Sequence, residues 1–242
     1  EADAVGLVAD CLRGQKRSLA AEADAVRGRV SRRKGAGLAP DDPATSAEPL
    51  DVLARAVHGP YDEALAACNA VDFDDLIALP VRLLRGEAAV TAAWRERIRY
   101  LLVDEYQDTN LAQYELVRLL VGERARLTVV GDDDQSIYGW RGAHPENLAA
   151  LARDFPGLRV VKLEQNYRSA GTILKAANAL IERNPHVFAK RLWSERGPGE
   201  RLRVAVAGDE DEEAIMVASR ILAHRMASGG RWADYAVLYR GN

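Results

Sequence analysis

The chain has 242 residues, an apolar content of 48% and a formal net charge of −3, so it is long enough for one large domain or two small ones with a buried core. The slightly acidic balance excludes a uniformly basic nucleic-acid module, and any nucleic-acid contact has to be local. Cys11 and Cys68 lack metal-ligand spacing and argue against a disulfide framework or a zinc site, and the apolar runs are far shorter than the roughly 20 residues of a membrane span.

The beginning of the chain, Glu1-Ala2-Asp3-Ala4, lacks the basic and apolar regions of a signal peptide. Together with the low cysteine content, this predicts a cytoplasmic protein without a membrane partner. The chain also lacks an initiator methionine, which predicts that it is an excised piece of a longer protein.

The first third of the chain is predicted to be mainly helical. Residues 1–34 are rich in Ala, Leu, Arg and Glu, and residues 50–70 carry apolar side chains at helical spacing. Between them, Gly35 to Pro49 concentrates loop-forming residues. A further short helix is predicted to open within Asp72–Ile77, with Asp72 or Asp74 as its cap.

A basic run lies near the end of the first helical stretch. We interpret it as a solvated helix face, with contact to a nucleic-acid backbone as the alternative. Its members are Arg27, Arg29, Arg32, Arg33 and Lys34.

From about residue 98 short apolar runs alternate with helices, which predicts an α/β fold with a parallel sheet covered on both faces. The predicted strands are Tyr100–Val103, Leu127–Val130 and Arg159–Leu163, and the helices between them are Ala112–Val121 and Asn147–Phe155. Parallel sheets bind ligands at the carboxyl ends of their strands. Polar clusters follow Val103 and Val130, where that rule expects a site.

The last part of the chain is predicted to repeat this alternation. A helix over Ala170–Asn184 is followed by a turn at Gly197-Pro198-Gly199. Two further strands, Leu202–Ala207 and Tyr235–Tyr239, flank a helix from about Glu210 to Arg225.

Two adjacent acids, Asp104 and Glu105, come directly after the first predicted strand. Mg²⁺ in nucleotide sites is held by one or two carboxylates together with phosphates and waters. Asp104 would face that metal, and Glu105 would orient and deprotonate the attacking water. The alternative is that both acids cap the next helix, but the following stretch Tyr106–Thr109 favours the metal site.

A second cluster, Gly131–Ala143, follows the second predicted strand. Gln135 can donate and accept hydrogen bonds, which suits the sensing of a γ-phosphate. Tyr138 and Trp140 lie in a glycine-punctuated stretch, where bases of single-stranded DNA can stack at about 1–3 kcal/mol each, and Arg141 adds a cation. The alternative is that both aromatic residues belong to the core.

A third cluster, Leu163–Ser169, follows the third predicted strand. Arg168 would neutralise charge on a transferring phosphoryl group, and Tyr167 would stack on adenine. Taken alone, this cluster better fits an arginine–carboxylate surface pair beside a half-buried tyrosine.

In this order, the three clusters resemble the UvrD/Rep/PcrA family of superfamily 1 DNA helicases, and the resemblance leans toward the Rep branch. Asp104–Asn110 is similar to motif II, Gly131–Ala143 to motif III and Leu163–Ser169 to motif IV. Val71–Ile77 and Tyr235–Asn242 are also similar to family segments. The resemblance covers roughly residues 60–242.

The resemblance implies an ATP-hydrolysing 3′→5′ translocase that unwinds duplexes, with ATP and Mg²⁺ as cofactors. Single-stranded DNA, duplex junctions and replication or repair proteins are the implied partners. The implied roles are Mg²⁺ binding by Asp104, base catalysis by Glu105, γ-phosphate contact by Gln135 and Arg168, adenine packing by Tyr167, and DNA contact by Tyr138, Trp140 and Arg141.

The resemblance also implies a division of the chain. Residues 1–85 would end a helical 1B-like insertion, residues 86–163 would form the C-terminal part of a first RecA-like domain, and residues 164–242 would begin a second. The expected fold is therefore a partial RecA-like parallel sheet with flanking helices.

The phosphate loop that normally serves motif II ends in Gly-Lys-Ser/Thr, and no Gly-Lys dipeptide occurs in these 242 residues. We therefore expect the isolated chain to be inactive. The alternatives are a non-catalytic single-stranded DNA-binding or interaction module, and a piece of a helicase–nuclease subunit of the AddA or RecB kind, whose nuclease carboxylates with a lysine are not visible here.

Overall fold

The computed structural model describes residues 2–14, 22–43 and 45–239. The chain divides into two compact units. Unit 1 comprises Glu1–Leu163 and Ile181–Lys190, and unit 2 comprises Glu164–Leu180 and Arg191–Asn242. The division into three segments expected from the resemblance stays a prediction, and the last residues of Tyr235–Asn242, numbers 240–242, lie outside the described part of the chain.

Unit 1 begins with three helices that share a core. They are α1 (Ala2–Gly14), α2 (Ala23–Gly35) and α3 (Pro49–Ala67). α3 begins with a proline, whose missing N–H is no loss in the first helical turn. Its buried side chains recur at helical spacing and pack against those of α1 and α2; on α3 these are Leu53, Ala54, Val57, Tyr61 and Leu65.

Two shorter helices follow, α4 (Asp75–Gly86) and α5 (Ala88–Arg97). Asp72 caps the first of them, since its Oδ1 accepts the Asp75 N–H at 2.8 Å while Asp75 Oδ2 accepts the Asp72 N–H at 3.3 Å. Asp74, the other predicted cap, makes no capping bond. This reciprocal pair fixes the chain where it enters α4.

The sheet consists of two parallel strands, β1 (Leu101–Val103) and β2 (Leu127–Val129), with Leu102 opposite Thr128. The crossover between them is α6 (Leu111–Val121), and α7 (Glu146–Asp154) follows β2. Tyr106 and the apolar faces of α6 and α7 form a second core against the strands. The strands and the crossover helix confirm the predicted α/β class. The expected cover on both faces of the sheet is wrong, because Leu102 is 74% exposed.

Unit 2 contains α9 (Glu210–Ser228) and all of α8 (Gly171–Ile181) except its last residue. Both helices were predicted within a few residues. The glycines of the predicted turn, Gly197 and Gly199, have φ values of 72° and 71°, in the left-handed region that favours glycine. An isolated bridge pairs Gln165 with Trp193.

Three predicted strands are wrong: Arg159–Leu163, Leu202–Ala207 and Tyr235–Tyr239 form no strand. A strand requires a hydrogen-bonded neighbour, and the sheet in the described residues contains β1 and β2 alone. β-Branched composition therefore did not suffice to form a strand. The apolar side chains of these segments include exposed ones, from Val160 at 49% to Leu238 at 96%.

Within the described residues, no helix has both the length and the apolar character needed to cross a bilayer.

Candidate functional site

Two loops lie side by side at the carboxyl end of the sheet. The first, the acid loop, is residues 104–109, and the second, the aromatic loop, is residues 131–143. Backbone hydrogen bonds join the two loops where they leave the strands. Val130 N–H donates to Val103 O at 2.8 Å, and Tyr106 N–H donates to Val130 O at 2.9 Å. The parallel pairing of β1 with β2 thus brings the two predicted polar clusters together.

Asp104 and Glu105 are both exposed at the start of the acid loop. Asp104 Oδ1 accepts the backbone N–H of Glu105 at 2.9 Å. Neither acid caps α6, because Asn110 does so through a reciprocal pair with Gln113. The capping interpretation of the two acids is therefore wrong.

Glu105 has a left-handed backbone, with φ 49° and ψ 44°. A non-glycine residue in this region costs roughly 1–2 kcal/mol. The conformation turns the chain sharply after β1, and the rest of the acid loop holds it in place.

Gln107 stabilises this conformation through side-chain hydrogen bonds. No role was assigned to it from the sequence. Its side chain is 1% exposed. Nε2 donates to Glu105 Oε2 at 2.8 Å, and Oε1 accepts the backbone N–H of Asp132 at 2.9 Å. The signal in the sequence was its position two residues after Glu105, because a tight turn brings such side chains together.

Gly131 leaves room for this bridge. A Cβ atom at this position would lie 3.1 Å from Gln107 Oε1 and 3.3 Å from the Tyr106 Cβ. Any larger residue would therefore press on the side chain that joins the two loops.

Asp132 continues the network to Gln135. Its Oδ2 accepts a hydrogen bond from Gln135 Nε2 at 2.7 Å, and its Oδ1 lies 2.6 Å from Lys190 Nζ. Burial alone would raise the pKa of Asp132, but the hydrogen bonds from Lys190 and Gln135 outweigh it and hold the pKa below its ordinary value. An unbroken chain of contacts thus links Glu105 to Gln135.

Tyr138 and Trp140 stand out from the aromatic loop. Tyr138 is 39% exposed and Trp140 is 73% exposed, so the interpretation of both as core residues is wrong. Their ring centroids are 6.4 Å apart, and the Arg141 guanidinium lies 5.7 Å from one ring and 5.6 Å from the other. The two rings are inclined by 49° to each other, and with Arg141 they form a cationic, solvent-facing aromatic platform.

The aromatic loop is anchored to the acid loop at its far end. His144 N–H donates to Thr109 O at 2.9 Å. The side chain of Asn147, buried at the start of α7, donates to the same carbonyl at 3.0 Å. A displacement of either loop would therefore strain or break these hydrogen bonds to the other loop.

An open cleft of about 1850 Å³ lies beside this platform within unit 1. Trp140 and Arg141 line one part of it, and the exposed ring of Phe73, just before α4, lines another. Arg27 and Arg32 of α2 contribute cations to its lining. The cleft thus combines aromatic rings with charges of both signs, since acids such as Asp24 and Asp74 also line it.

The basic run of α2 is not the uniform solvated face that we predicted. Arg33 and Lys34 are buried. Arg33 donates to the carbonyl oxygens of residues 39, 42 and 43, and Lys34 pairs with Asp62, Asp72 and Asp75 at 2.9, 3.1 and 2.7 Å. Charge in the sequence did not reveal that acids from elsewhere in the fold would surround these two cations.

Tyr167 and Arg168 belong to unit 2, whereas the other six candidate residues belong to unit 1. Tyr167 is 74% exposed and its hydroxyl donates to Gln165 Oε1 at 2.9 Å, so it is not half-buried. Asn166 Oδ1 accepts the Arg168 N–H at 2.9 Å and fixes the backbone there. Arg168 forms no ion pair with any residue that the structure describes.

Two family descriptions match the chain. The UvrD/REP helicase N-terminal domain matches residues 1–156, and the UvrD-like helicase C-terminal domain matches residues 161–242.

Curated relatives are similar over most of the chain. The ATP-dependent DNA helicase Rep of Escherichia coli (strain K12) is 62% identical over 185 residues, which cover 76% of this chain and 28% of that protein. DNA helicase II of the same organism is 41% identical over 88% of this chain and 29% of its own length. The ATP-dependent DNA helicase PcrA of Leuconostoc citreum is 42% identical over 90% of this chain and 29% of its own length. The chain therefore spans less than a third of these relatives.

Proposed function

Because the chain belongs to the UvrD/REP helicase family, we propose that it forms part of a longer ATP-dependent DNA helicase, the parent helicase. This enzyme would move 3′→5′ along single-stranded DNA and unwind duplex junctions, using ATP and Mg²⁺. A cytoplasmic location and contacts with replication or repair proteins are part of the same proposal. The observation that carries it is the hydrogen-bonded path from Glu105 through Gln107 and Asp132 to Gln135.

The acid loop suits ATP hydrolysis. Asp104 exposes a carboxylate at the carboxyl end of β1 and uses one oxygen within the loop, which leaves the other for a hard cation such as Mg²⁺. The metal would neutralise phosphate charge there. Glu105, held by Gln107, would accept a proton from water as general base.

The groups around the phosphate have distinct tasks in this proposal. Gln135 reads the γ-phosphate through its amide, whose nitrogen is already held by Asp132. In unit 2, Arg168 would supply positive charge to a γ-phosphate, and Tyr167 would offer its exposed ring to adenine. ATP binding would in this way bias the conformation of the loop that carries Trp140.

The aromatic platform would grip the single strand. Trp140 stacks on a base, while Tyr138 and Arg141 support its ring. Stacking does not depend on base identity, which suits a motor that must cross every sequence.

ATP turnover tests the first half of this proposal. We expect Mg²⁺- and DNA-dependent hydrolysis by the parent helicase, and its loss in Glu105→Gln, which keeps the shape but not the base. The isolated 242-residue chain should turn over little or no ATP, since the backbone cradle and lysine of a phosphate loop are not among its residues. Turnover by the isolated chain that Glu105→Gln abolishes would contradict the second expectation.

The exposed platform also favours a second candidate, a non-catalytic module that binds single-stranded DNA. In that case binding would be weak and salt-sensitive, Trp140→Ala would reduce it, and ATP would have no influence on it. A parent helicase whose DNA affinity changes with nucleotide would exclude this candidate.

A further inference from the structure

Lys190 lies within the acids that precede Gln135. Its Nζ is 2.6 Å from Asp132 Oδ1 and 2.9 Å from Asp134 Oδ2, and it also contacts Asp133. One ammonium group therefore pairs with three consecutive carboxylates and offsets part of their mutual repulsion.

The segment Ile181–Lys190 is firmly attached to the aromatic loop around this lysine. Val187 N–H donates to Asp133 Oδ2 at 2.7 Å, and His186 Nδ1 lies 2.9 Å from Asp134 Oδ1. Phe188 packs against the core beneath the sheet. The position of Lys190 is thus fixed by several independent contacts.

A metal ion is the alternative occupant of this cluster. One ligand atom each from Asp133, Asp134 and His186 lies within 4.8 Å of the others. The Lys190 ammonium already contacts both carboxylates, however, and burial that would lower its pKa is outweighed by the hydrogen bonds to the three acids, so that the pKa is raised. The site therefore favours a fixed lysine over a divalent cation.

The contacts of Asp132 connect this lysine to the proposed phosphate sensor. Lys190 holds one carboxylate oxygen and Gln135 Nε2 donates to the other. A carboxylate held on one side by a fixed cation has little freedom to rotate, so the amide that it binds on the other side also has one preferred orientation.

We propose that Lys190 is a positioning residue for ATP hydrolysis, which holds Asp132 in the orientation that presents the Gln135 amide to the γ-phosphate. This inference rests on the proposed function, since it requires that Gln135 contacts ATP. In this proposal Lys190 acts through Asp132 and Gln135 and does not itself bind substrate.

The test compares variants of the parent helicase at saturating single-stranded DNA. Lys190→Met removes the charge and keeps much of the side-chain length. We expect kcat for ATP hydrolysis to fall on the order of tenfold, because the residue orients a group that contacts ATP. KM for ATP should change less than about twofold. Lys190→Arg should restore most of kcat. Lys175→Met, an exposed lysine on α8, is the matched control and should behave as wild type.

A double variant distinguishes a positioning role of Lys190 from a general structural effect of its replacement. If Lys190 acts through Gln135, then Lys190→Met should cost much less in a Gln135→Ala background than alone, because the oriented amide is already gone. Fully additive losses, or a rise in KM with kcat unchanged, would overturn the proposal. If Lys190→Met does not fold, Lys190→Gln replaces it with the same expected outcomes.

Failure of the proposed function would look different. In that case Glu105→Gln and Gln135→Ala would leave ATP turnover intact. If Glu105→Gln abolishes turnover and Gln135→Ala strongly lowers it while Lys190→Met keeps the wild-type kcat, only the positioning role of Lys190 is wrong.

Discussion

Gln107 Nε2 donates a 2.8 Å hydrogen bond to Oε2 of Glu105, the acid that we propose as the catalytic base. The other end of the same amide accepts the Asp132 N–H. One buried side chain therefore orients the base and ties it to the loop that carries Gln135.

Replacing Gln107 should separate these two tasks. Gln107→Leu leaves the Asp132 N–H without its partner, so we expect about 1–3 kcal/mol less stability by urea unfolding of the 242-residue chain. Gln107→Glu keeps an acceptor for that N–H but sets a second carboxylate against Glu105. Like charges raise a carboxyl pKa, so the acidic limb of the pH–rate profile of the parent helicase should move to higher pH. An unchanged profile would mean that Gln107 does not contact the base during hydrolysis.

We expect the left-handed backbone of Glu105 to lower the free energy of unfolding, although the proposed activity requires its carboxylate. Glu105→Ala and Glu105→Gly both lose the carboxylate and its bond to Gln107, but only glycine relieves φ 49°. We expect the glycine variant to be more stable than the alanine variant by about 1 kcal/mol, although both are inactive. Ala125, with φ 47°, is the matched control, since Ala125→Gly should stabilise the chain similarly. Equal stability of the two Glu105 variants would show that the loop relaxes in solution.

Trp140 should dominate the affinity of the isolated chain for single-stranded DNA. Trp140→Ala removes the stacking surface and should weaken binding of a labelled oligothymidylate by about 1–3 kcal/mol, with little change in stability because the ring is exposed. Trp94→Ala is the matched control, since Trp94 is 43% exposed and carries Arg97 at 5.4 Å from its ring. Equal losses for the two tryptophans would point to nonspecific aromatic contact.

Sequence patterns predicted the parts of this molecule that depend on local information. β1, β2 and the crossover helix α6 follow from apolar runs and helical spacing, and the rule for parallel sheets brought Asp104 and Gln135 to one edge. The family assignment made from the same clusters is confirmed, whereas the roles of individual residues stay predictions.

The failures concern partners that lie far away in the chain. Leu202–Ala207 has the composition of a strand but pairs with no other strand in the part of the chain that the structure describes. Lys34 looked solvated because its three acids lie 28 or more positions further along the chain. Lys190 belongs to no motif in the sequence, and its proposed role follows only from its contacts with the aromatic loop. Periodicity and composition describe which side chains prefer burial, not which groups will meet them.

The ion cluster of Lys34 should be among the more sensitive points of unit 1. Lys34→Met leaves the carboxylates of Asp62, Asp72 and Asp75 facing one another in a mostly buried site, and we expect a loss of about 3–5 kcal/mol in the free energy of unfolding. Arg32→Met, an exposed position on the same helix, should change stability by about 0.5 kcal/mol or less. Adding Asp75→Asn to Lys34→Met should recover part of the loss. A mild effect of Lys34→Met would mean that water reaches the cluster.

The contacts of Asp133 predict a specific pH dependence. Burial would raise its pKa, but the hydrogen bonds from Lys190 and Val187 lower it below the ordinary value, while the pKa of Lys190 is raised. A lowered carboxyl pKa stabilises the fold above the unfolded pKa and ceases to do so as the pH falls through the folded pKa; a raised lysine pKa stabilises below its own unfolded value. Asp133→Asn should therefore cost about 1–2 kcal/mol between about pH 5 and pH 9. This difference from wild type, measured by urea unfolding, should shrink as the pH falls below about 4.

The exposed position Asp41 provides the control, and Asp41→Asn should change stability little at any pH. If the loss in Asp133→Asn persists undiminished at acid pH, the ion pair with Lys190 is not its source.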